Sequence, residues 1–455
     1  MSAAGRFAGM LAVLPLAACS LPASRDNVAA TRDLVAGQTR SELQWRRDIQ
    51  ADETGRAAVA AMLDGGVGLA EAVTIGLLMN PEVQLAFEQL EIARSEVVAA
   101  ATPPNPVAIV GVRSPGGNLS AFYPDRTVSV GVLQNVLGLL NMPDRVAVAR
   151  KELDRQRLLA AARITAVATR TAEAWLEYAT ARQVAQLRER SAAAARSTFD
   201  RLGQQAAAGD HPDLDMAAER SGLFDVESAA AHAVLDAATA RARLAELMGL
   251  SGWRDDWELA GALPDLPAED PSAQGLEEAA MQRRLDVRAA LQAIDVRLRM
   301  LAMQRRFRWL GALEIGAFRE AAVDSTPFVG PNAVVELPLF DQHQSQLLAA
   351  DAELRSALRT LEAVKLTART EVRTHVAELA AARRLLEQHR RLVLPDRVSG
   401  PDAGEAAAPE DLHRQLQWVE SQEQQALLLR DYWRSRSALA AAAGDWTTLS
   451  GLPVP

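Results

Sequence analysis

The sequence predicts an α+β membrane protein in which short strand pairs interrupt very long helices. Three observations carry this. The spacing of apolar residues switches from the helical period to two at two places, roughly 200 residues apart. A helical stretch of unusual length follows each switch. No stretch reaches the roughly 18 consecutive apolar residues a spanning helix needs, so any membrane crossing must use strands.

Composition sets the background. Alanine is abundant, Arg, Glu, Gln and Leu are common, and aromatic residues make up 4%. That profile suits long helices packed through small side chains better than globular cores with aromatic centres. Lys151 and Lys365 are the only lysines, so almost all positive charge is arginine. With a net charge of -9 and no basic stripe with interleaved aromatics, nucleic-acid binding is excluded.

The single cysteine rules out an internal disulfide, and its position carries the information. Arg6 is the sole charge among the first two dozen residues, and an apolar stretch, Phe7 to Pro15, follows it. This layout is that of a secretory signal, too short to span a bilayer. Leu16-Ala17-Ala18-Cys19 resembles a bacterial lipobox. The resemblance implies cleavage before Cys19, a thioether-linked diacylglycerol on its sulfur and an N-acyl chain on the new amine. Ser20 resembles an outer-membrane sorting signal. Residues 1–18 are then a signal peptide and 19–66 a polar, lipidated N-terminal segment. The alternative is an ordinary cysteine in an uncleaved leader.

The rest of the chain follows one plan twice, over 67–260 and 261–455. The first copy opens with a helix whose apolar positions include Leu69, Val73, Leu77, Val83, Phe87, Leu90 and Val97. Pro103-Pro104-Asn105-Pro106 ends it, because proline removes the helical donor and restricts its predecessor. The second copy opens with a helix carrying Leu285, Ala289, Ile294, Leu298 and Leu301, which gives way at Phe307 to Trp309.

The strands come next. Thr127 to Val132 alternates strictly, as a half-buried strand does, and Val107 to Val112 reads as its partner across a turn-rich loop. In the second copy Leu310 to Phe318 is followed by a loop containing Asp324, Pro327 and Gly330, then by Asn332 to Leu337. Leu313, Ile315, Val335 and Leu337 fall on one face, Glu314 and Glu336 on the other. Four such strands are too few to stand beside long helices unless something completes the sheet. Their length suits outer-membrane barrel strands, and Trp309, Phe318, Phe122 and Tyr123 lie near strand ends, where aromatic girdles occur. A small soluble β-domain with two hairpins is the other reading of these segments.

Long helices follow each pair. From Met142 to about Leu202, and from Gln342 to Val393, apolar residues step by three and four, close to the coiled-coil period. About 55 to 60 residues at 1.5 Å each make helices of roughly 80 to 90 Å. Breaker clusters, Gly203 to Pro212 and Pro395 to Pro409, turn the chain back into returning helices at Leu214 to Met248 and Asp411 to Ala443.

At this level the sequence resembles the TolC-like outer-membrane efflux protein family. Leu69-Ala70-Glu71-Ala72-Val73 with Asn80-Pro81-Glu82-Val83 is similar to the family's opening. Leu285-Asp286-Val287-Arg288-Ala289-Ala290 resembles its "P-D-L/V-R-A-A" element, with leucine in place of proline. Leu337-Pro338-Leu339-Phe340-Asp341 resembles its "L-P-L-F-D" strand end, and Ala207-Ala208-Gly209 before Asp213-Leu214-Asp215 its first periplasmic turn. Asp431-Tyr432-Trp433 through Ala438-Leu439 is similar to the closing helix of lipoprotein members. The resemblance implies a homotrimer in which each protomer gives four strands to a twelve-stranded outer-membrane barrel. That barrel continues into a coiled-coil periplasmic barrel. It implies an adaptor protein and an inner-membrane pump of the RND type as partners, outer-membrane lipid around the strands, and efflux of drugs, metal ions or other small molecules. The region 394–409 departs from the family, being rich in Pro and Gly and lacking a tyrosine-containing turn.

No catalytic or metal-binding constellation is present. The six histidines are scattered without a His-Glu-x-x-His pattern, and no Gly-rich phosphate loop or Gly-x-Ser-x-Gly elbow occurs. The expectation is therefore a passive duct without cofactors other than the lipid on Cys19. Glu314 and Glu336 are expected to face the lumen, since the opposite phase would place them in lipid at about 2 to 4 kcal/mol or somewhat less each. Asp213, Asp215 and Asp411 resemble in position the family's tip-lining acids, and also suit simple helix N-terminal acids. A structural coiled-coil lipoprotein of the envelope and a protein-secretion duct are the competing functions.

Overall fold

The computed structural model describes residues 24–39, 43–113, 127–208, 216–309, 311–322, 326–393 and 409–446. The first repeat runs α3 (Leu69–Met79), α4 (Pro81–Ala101), β1 (Val107–Arg113), β2 (Thr127–Asn135), α5 (Val136–Leu140), α6 (Met142–Ala208) and α7 (Met216–Leu247). The second runs α8 (Leu276–Arg283), α9 (Leu285–Phe307), β3 (Leu313–Ala322), β4 (Phe328–Val335), α10 (Gln344–Leu392) and α11 (Pro409–Ala443). Two helices that the polar N-terminal segment does not announce, α1 (Ser24–Thr39) and α2 (Ile49–Asp64), precede them.

The chain divides into two compact units, which cut through the long helices. The first comprises Met1–Asn27, Leu90–Gln156 and Gln292–Leu358; the second comprises Val28–Gln89, Arg157–Leu291 and Arg359–Pro455.

The first unit carries the sheet. Its four strands are antiparallel in the order β1-β2-β3-β4. Arg113, Thr127, Ala322 and Phe328 mark one end of the sheet, and every strand that meets a helix does so at the other. There α4 and α6 share a small apolar cluster of Ala93, Val97, Ala149 and Leu153. Lys151 pairs with Asp295 at 3.3 Å and Arg297 with Glu353 at 2.9 Å, tying α9 to α6 and to α10.

Strand boundaries differ from expectation: β2 runs on to Asn135, β3 spans Leu313–Ala322 rather than Leu310 to Phe318, and β4 ends at Val335 rather than Leu337. Phe328–Val335 is strand, so Gly330 and Pro331 lie inside β4 rather than in the loop before it. β4 is an edge strand, where a residue without an N–H is tolerated. Gly203 also fails to end its helix, and α6 continues to Ala208.

The second unit explains how the two repeats are closed. α3 stops at Asn80 (φ -62°, ψ 127°), because the residue before a proline is pushed out of the helical region. The Asn80 amide oxygen accepts from Glu82 N at 2.8 Å, capping α4, and its Nδ2 donates to Leu247 O at 2.8 Å. α8 stops at Arg284 with nearly the same dihedrals (φ -59°, ψ 127°), with no proline to force it. Here a guanidinium replaces the amide. Arg284 donates to Ala442 O at 3.1 Å, to Asp286 at 3.0 and 2.7 Å, and to Glu371 at 2.6 Å. In each repeat the side chain at the break therefore holds a carbonyl near the end of the returning helix.

Those returning helices end alike. Gly249 (φ 68°) and Gly444 (φ 69°) are left-handed. Leu250 N reaches Ala245 O at 2.9 Å and Asp445 N reaches Ala440 O at 3.0 Å, the 6→1 bond of a Schellman cap. A Cβ on Gly249 would stand 2.7 Å from Met79 O, and one on Gly444 2.9 Å from Arg284 N. Only glycine allows this approach.

Within α6, buried Thr171, Thr180 and Ser191 return their hydroxyls to the carbonyls of Val167, Leu176 and Leu187, at 2.9, 2.8 and 3.2 Å. A long helix thereby buries small polar residues without outside partners.

Gly249→Val and Gly444→Val should each lower unfolding stability by about 1–3 kcal/mol, through left-handed strain and the backbone clash. Gly222, in α7 with open space around it, gives the contrast: Gly222→Ala should raise stability by roughly 0.5–1 kcal/mol. Thermal melts followed by circular dichroism in detergent measure all three.

Candidate functional site

The pairing register assigns every strand residue to a face. Val110 stands opposite Val130, Val128 opposite Ala321, Val132 opposite Ala317, and Leu313 opposite Val335. Directly opposed residues share a face, so one side of the sheet collects Val110, Val112, Val128, Val130, Val132, Ile315, Val329 and Val335. All eight are exposed. Alanines and Pro331 fill the gaps, and only Gln134, near the end of β2, and Arg319, opposite Val130, break the apolar run.

The other side has different chemistry. It carries Arg113, Thr127, Ser129, Asn135, Glu314, Glu320, Asn332 and Glu336, with glycines 111, 131, 316 and 330 between them, beside the apolar Val107, Ile109, Leu133, Phe318, Phe328 and Val334. Arg113 and Glu320 form an ion pair at 3.7 Å. A Cβ on Gly131 would stand 3.2 Å from Ala317 O, and one on Gly316 would fall within the Val132 carbonyl. β2 and β3 come this close because two glycines let them. Glycines confined to one face free that face to be the concave one.

Glu314 and Glu336 thus lie on one face, near the helix end of the sheet. Glu314 stands opposite Asn135 on β2 and Val334 on β4. Just past β4, Glu336 N donates to Ala312 O at 2.9 Å, and its carboxylate accepts from Ala312 N at 2.9 Å. Gly311 makes room for it: a Cβ there would meet Glu336 Cβ at 2.6 Å.

Sequence reasoning missed Glu320, Arg113 and Asn332 on this face. Period-two counting from Glu314 reaches Glu320; the other two need the register. Phe318, expected among the girdle aromatics at a strand end, is mid-strand on the Glu314 face, opposite Gly131 and Gly330. Cys19, Asp213, Asp215, Phe122 and Tyr123 lie outside the described residues. Asp411 falls in the first turn of α11, and its side chain lies outside them too.

A second cluster sits in the second unit. Arg170, Glu173, Glu177, Arg243, Arg430 and Arg434 line a cavity of about 120 Å³ between α6, α7 and α11. Burial pushes the Glu173 carboxyl above the usual carboxylate range, and Glu177 adds to this, while Arg434, His375 and Arg243 oppose it. Among the described residues, no three His, Cys, Asp or Glu side chains are arranged to hold a metal, and no helix is long and apolar enough to cross a membrane.

Comparison with known proteins gives the fold its class. No family model matches the chain, and no curated protein does. Solved structures do. A membrane protein from Pseudomonas aeruginosa aligns over 83% of this chain and 92% of its own, with TM-score 0.65 and 19% identity. The CmeC outer membrane channel of Campylobacter jejuni aligns over 84% and 87%, with TM-score 0.63 and 14% identity. The MtrE outer membrane channel of Neisseria gonorrhoeae aligns over 83% and 89%, with TM-score 0.62 and 16% identity. The chain has the fold of bacterial outer-membrane channels, and the resemblance to the TolC-like family holds at the level of fold.

The raised Glu173 pKa sets the sign of a pH effect. The folded chain holds this proton to higher pH than the unfolded chain, so ionisation above about pH 4.3 opposes folding. Glu173→Gln should therefore raise stability at pH 7 by on the order of 1 kcal/mol and change little near pH 4. Parallel melts at the two pH values test it; equal shifts at both would contradict it.

Proposed function

We propose that this protein is the outer-membrane exit duct of a tripartite efflux system, a passive conduit rather than a pump or an enzyme. The observation that carries the proposal is the two-faced sheet: exposed valines on one side, carboxylates and glycines on the other, and an unpaired strand at each edge. In hydrocarbon every backbone polar group needs a partner, so a spanning sheet must close on itself. Four strands cannot close; three copies supply twelve, joining β4 of one copy to β1 of the next.

In this reading the valine face meets lipid, and Glu314 and Glu336 face the lumen, each becoming a ring of three carboxylates. Arg319, the one charge on the valine face, lies three residues inside the loop end of β3, and its long side chain extends toward the head-group region. Cys19 carries the diacylglycerol and N-acyl chain, as an auxiliary anchor and sorting mark. Asp213, Asp215 and Asp411 line the far tip, where an adaptor protein connects the duct to an inner-membrane pump of the RND type. Drugs, metal ions and other small molecules are the cargo class.

The test is purification of the mature chain in detergent and insertion into planar bilayers. Heat-modifiable trimers and ion conductance are expected. A water-soluble monomer after Cys19→Ser would sink the duct and favour a structural envelope lipoprotein. Glu314→Gln with Glu336→Gln removes six lumen charges per trimer and should lower cation over anion selectivity several-fold at 0.1 M salt. The difference should shrink at 1 M, where screening acts within about 3 Å. Selectivity that does not move would take both residues off the lumen wall.

A further inference from the structure

The helix end of the sheet carries a feature that the duct reading leaves unused. The last turn of α9 and the connector into β3 read Arg305-Arg306-Phe307-Arg308-Trp309, and the connector leaving β4 reads Leu337-Pro338-Leu339-Phe340. The two run side by side: Glu336 and Ala312 bond to each other, and the His343 ring Nδ1 lies 3.3 Å from Arg308 O. His343 is left-handed at φ 60°, Asp341 caps its N–H at 2.9 Å, and the Gln344 side chain holds Phe340 O at 3.0 Å. This tight turn leaves Phe340 92% exposed, with Leu339 71% and Trp309 57% exposed nearby. Leu337, two residues beyond Val335, continues the valine face past the end of the strand.

The arginines are not equivalent. Arg306 is paired with Asp144 at 2.8 Å. Arg305 is exposed and, among the described residues, makes no hydrogen bond or ion pair. Arg308 lies 4.1 Å over the Trp309 ring, and its Nε is buried without an acceptor. Two uncompensated guanidinium groups thus border an apolar ledge that is continuous with the valine face.

We propose that this ledge binds the head groups of anionic phospholipid on the helix side of the membrane, with Arg305 and Arg308 taking the phosphate and Trp309, Leu339 and Phe340 seating at the acyl boundary. The inference rests on the duct reading. Its occupant follows from charge and position: guanidinium forks match phosphate oxygens, aromatic rings favour the interface, and basic residues beside a membrane favour anionic lipid.

The test uses the full chain assembled in detergent. It is titrated with phosphatidylglycerol and separately with phosphatidylcholine, and bound lipid is counted by native mass spectrometry. The native chain should prefer phosphatidylglycerol. Arg305→Gln with Arg308→Gln should weaken that retention roughly twentyfold, about fivefold per arginine, and leave phosphatidylcholine unaffected. The lysine pair, Arg305→Lys with Arg308→Lys, should stay within about threefold of native, and Arg355→Gln with Arg359→Gln on α10 should change nothing. Should the glutamine pair fail to assemble, Arg305→Gln alone carries the test. Equal retention of both lipids, or glutamine variants that match the native chain, overturns the inference. So does loss of the trimer in Arg305→Gln alone, which would give the ledge to a neighbouring copy. A chain that neither assembles nor conducts in bilayers of any charge overturns the duct reading itself; a conducting assembly indifferent to lipid charge overturns this inference alone.

Discussion

A sheet of four strands with two open edges and a largely apolar face is the constraint from which the rest of this protein follows. Each edge presents a row of N–H and C=O groups without partners, and the valine face offers water little beyond Arg319 and Gln134. Such a sheet is not self-sufficient in water or in lipid. The glycines at 131 and 316 let β2 and β3 approach closely, and the carboxylates lie on the face away from the valines.

The helical part solves a different problem, and solves it twice. A long returning helix must end beside the break between two short ones, so backbone has to pass close to backbone. Gly249 and Gly444 provide the approach in the two repeats with nearly identical φ. The side chains at the breaks differ, Asn80 in one and Arg284 in the other. Asn80 works with a proline and an amide, Arg284 with ion pairs to Asp286 and Glu371. Burial alone would raise the Asp286 pKa, but the Arg284 hydrogen bonds outweigh it and hold the carboxyl below its usual range. The geometry is shared between the repeats and the chemistry is not.

Much of this was legible in the residues. The switch from a helical period to a period of two located all four strands, and steps of three and four located the long helices. The limits have physical causes. β1 is apolar on both faces, with Val107 and Ile109 opposite in direction to Val110 and Val112, so its alternation could not assign a face without the register. Pro331 reads as loop in sequence, because tolerance at a sheet edge depends on strand order. α1 and α2 escaped notice because their polar sequences give a weak helical stripe. Glu314 and Glu336 were correctly placed on one face, since two residues per repeat is a strong local rule. Arg113 and Asn332 became visible beside them only through cross-strand pairing, and the Glu173 cluster draws on three helices far apart in sequence.

The open edges also bear on the life of a copy that has not yet met its partners. If three copies close the ring, the concentration of finished rings rises far more steeply than that of single chains, and a lone chain stays exposed for as long as partners are scarce. An acyl chain at Cys19 would confine the search to a surface and raise the local concentration of copies without any new contact. A lone copy meanwhile displays unpaired strands that other chains can pair with or proteases can cut. On the duct reading, the dependence of assembly on copy number lies in the hydrogen bonds that a single chain cannot make.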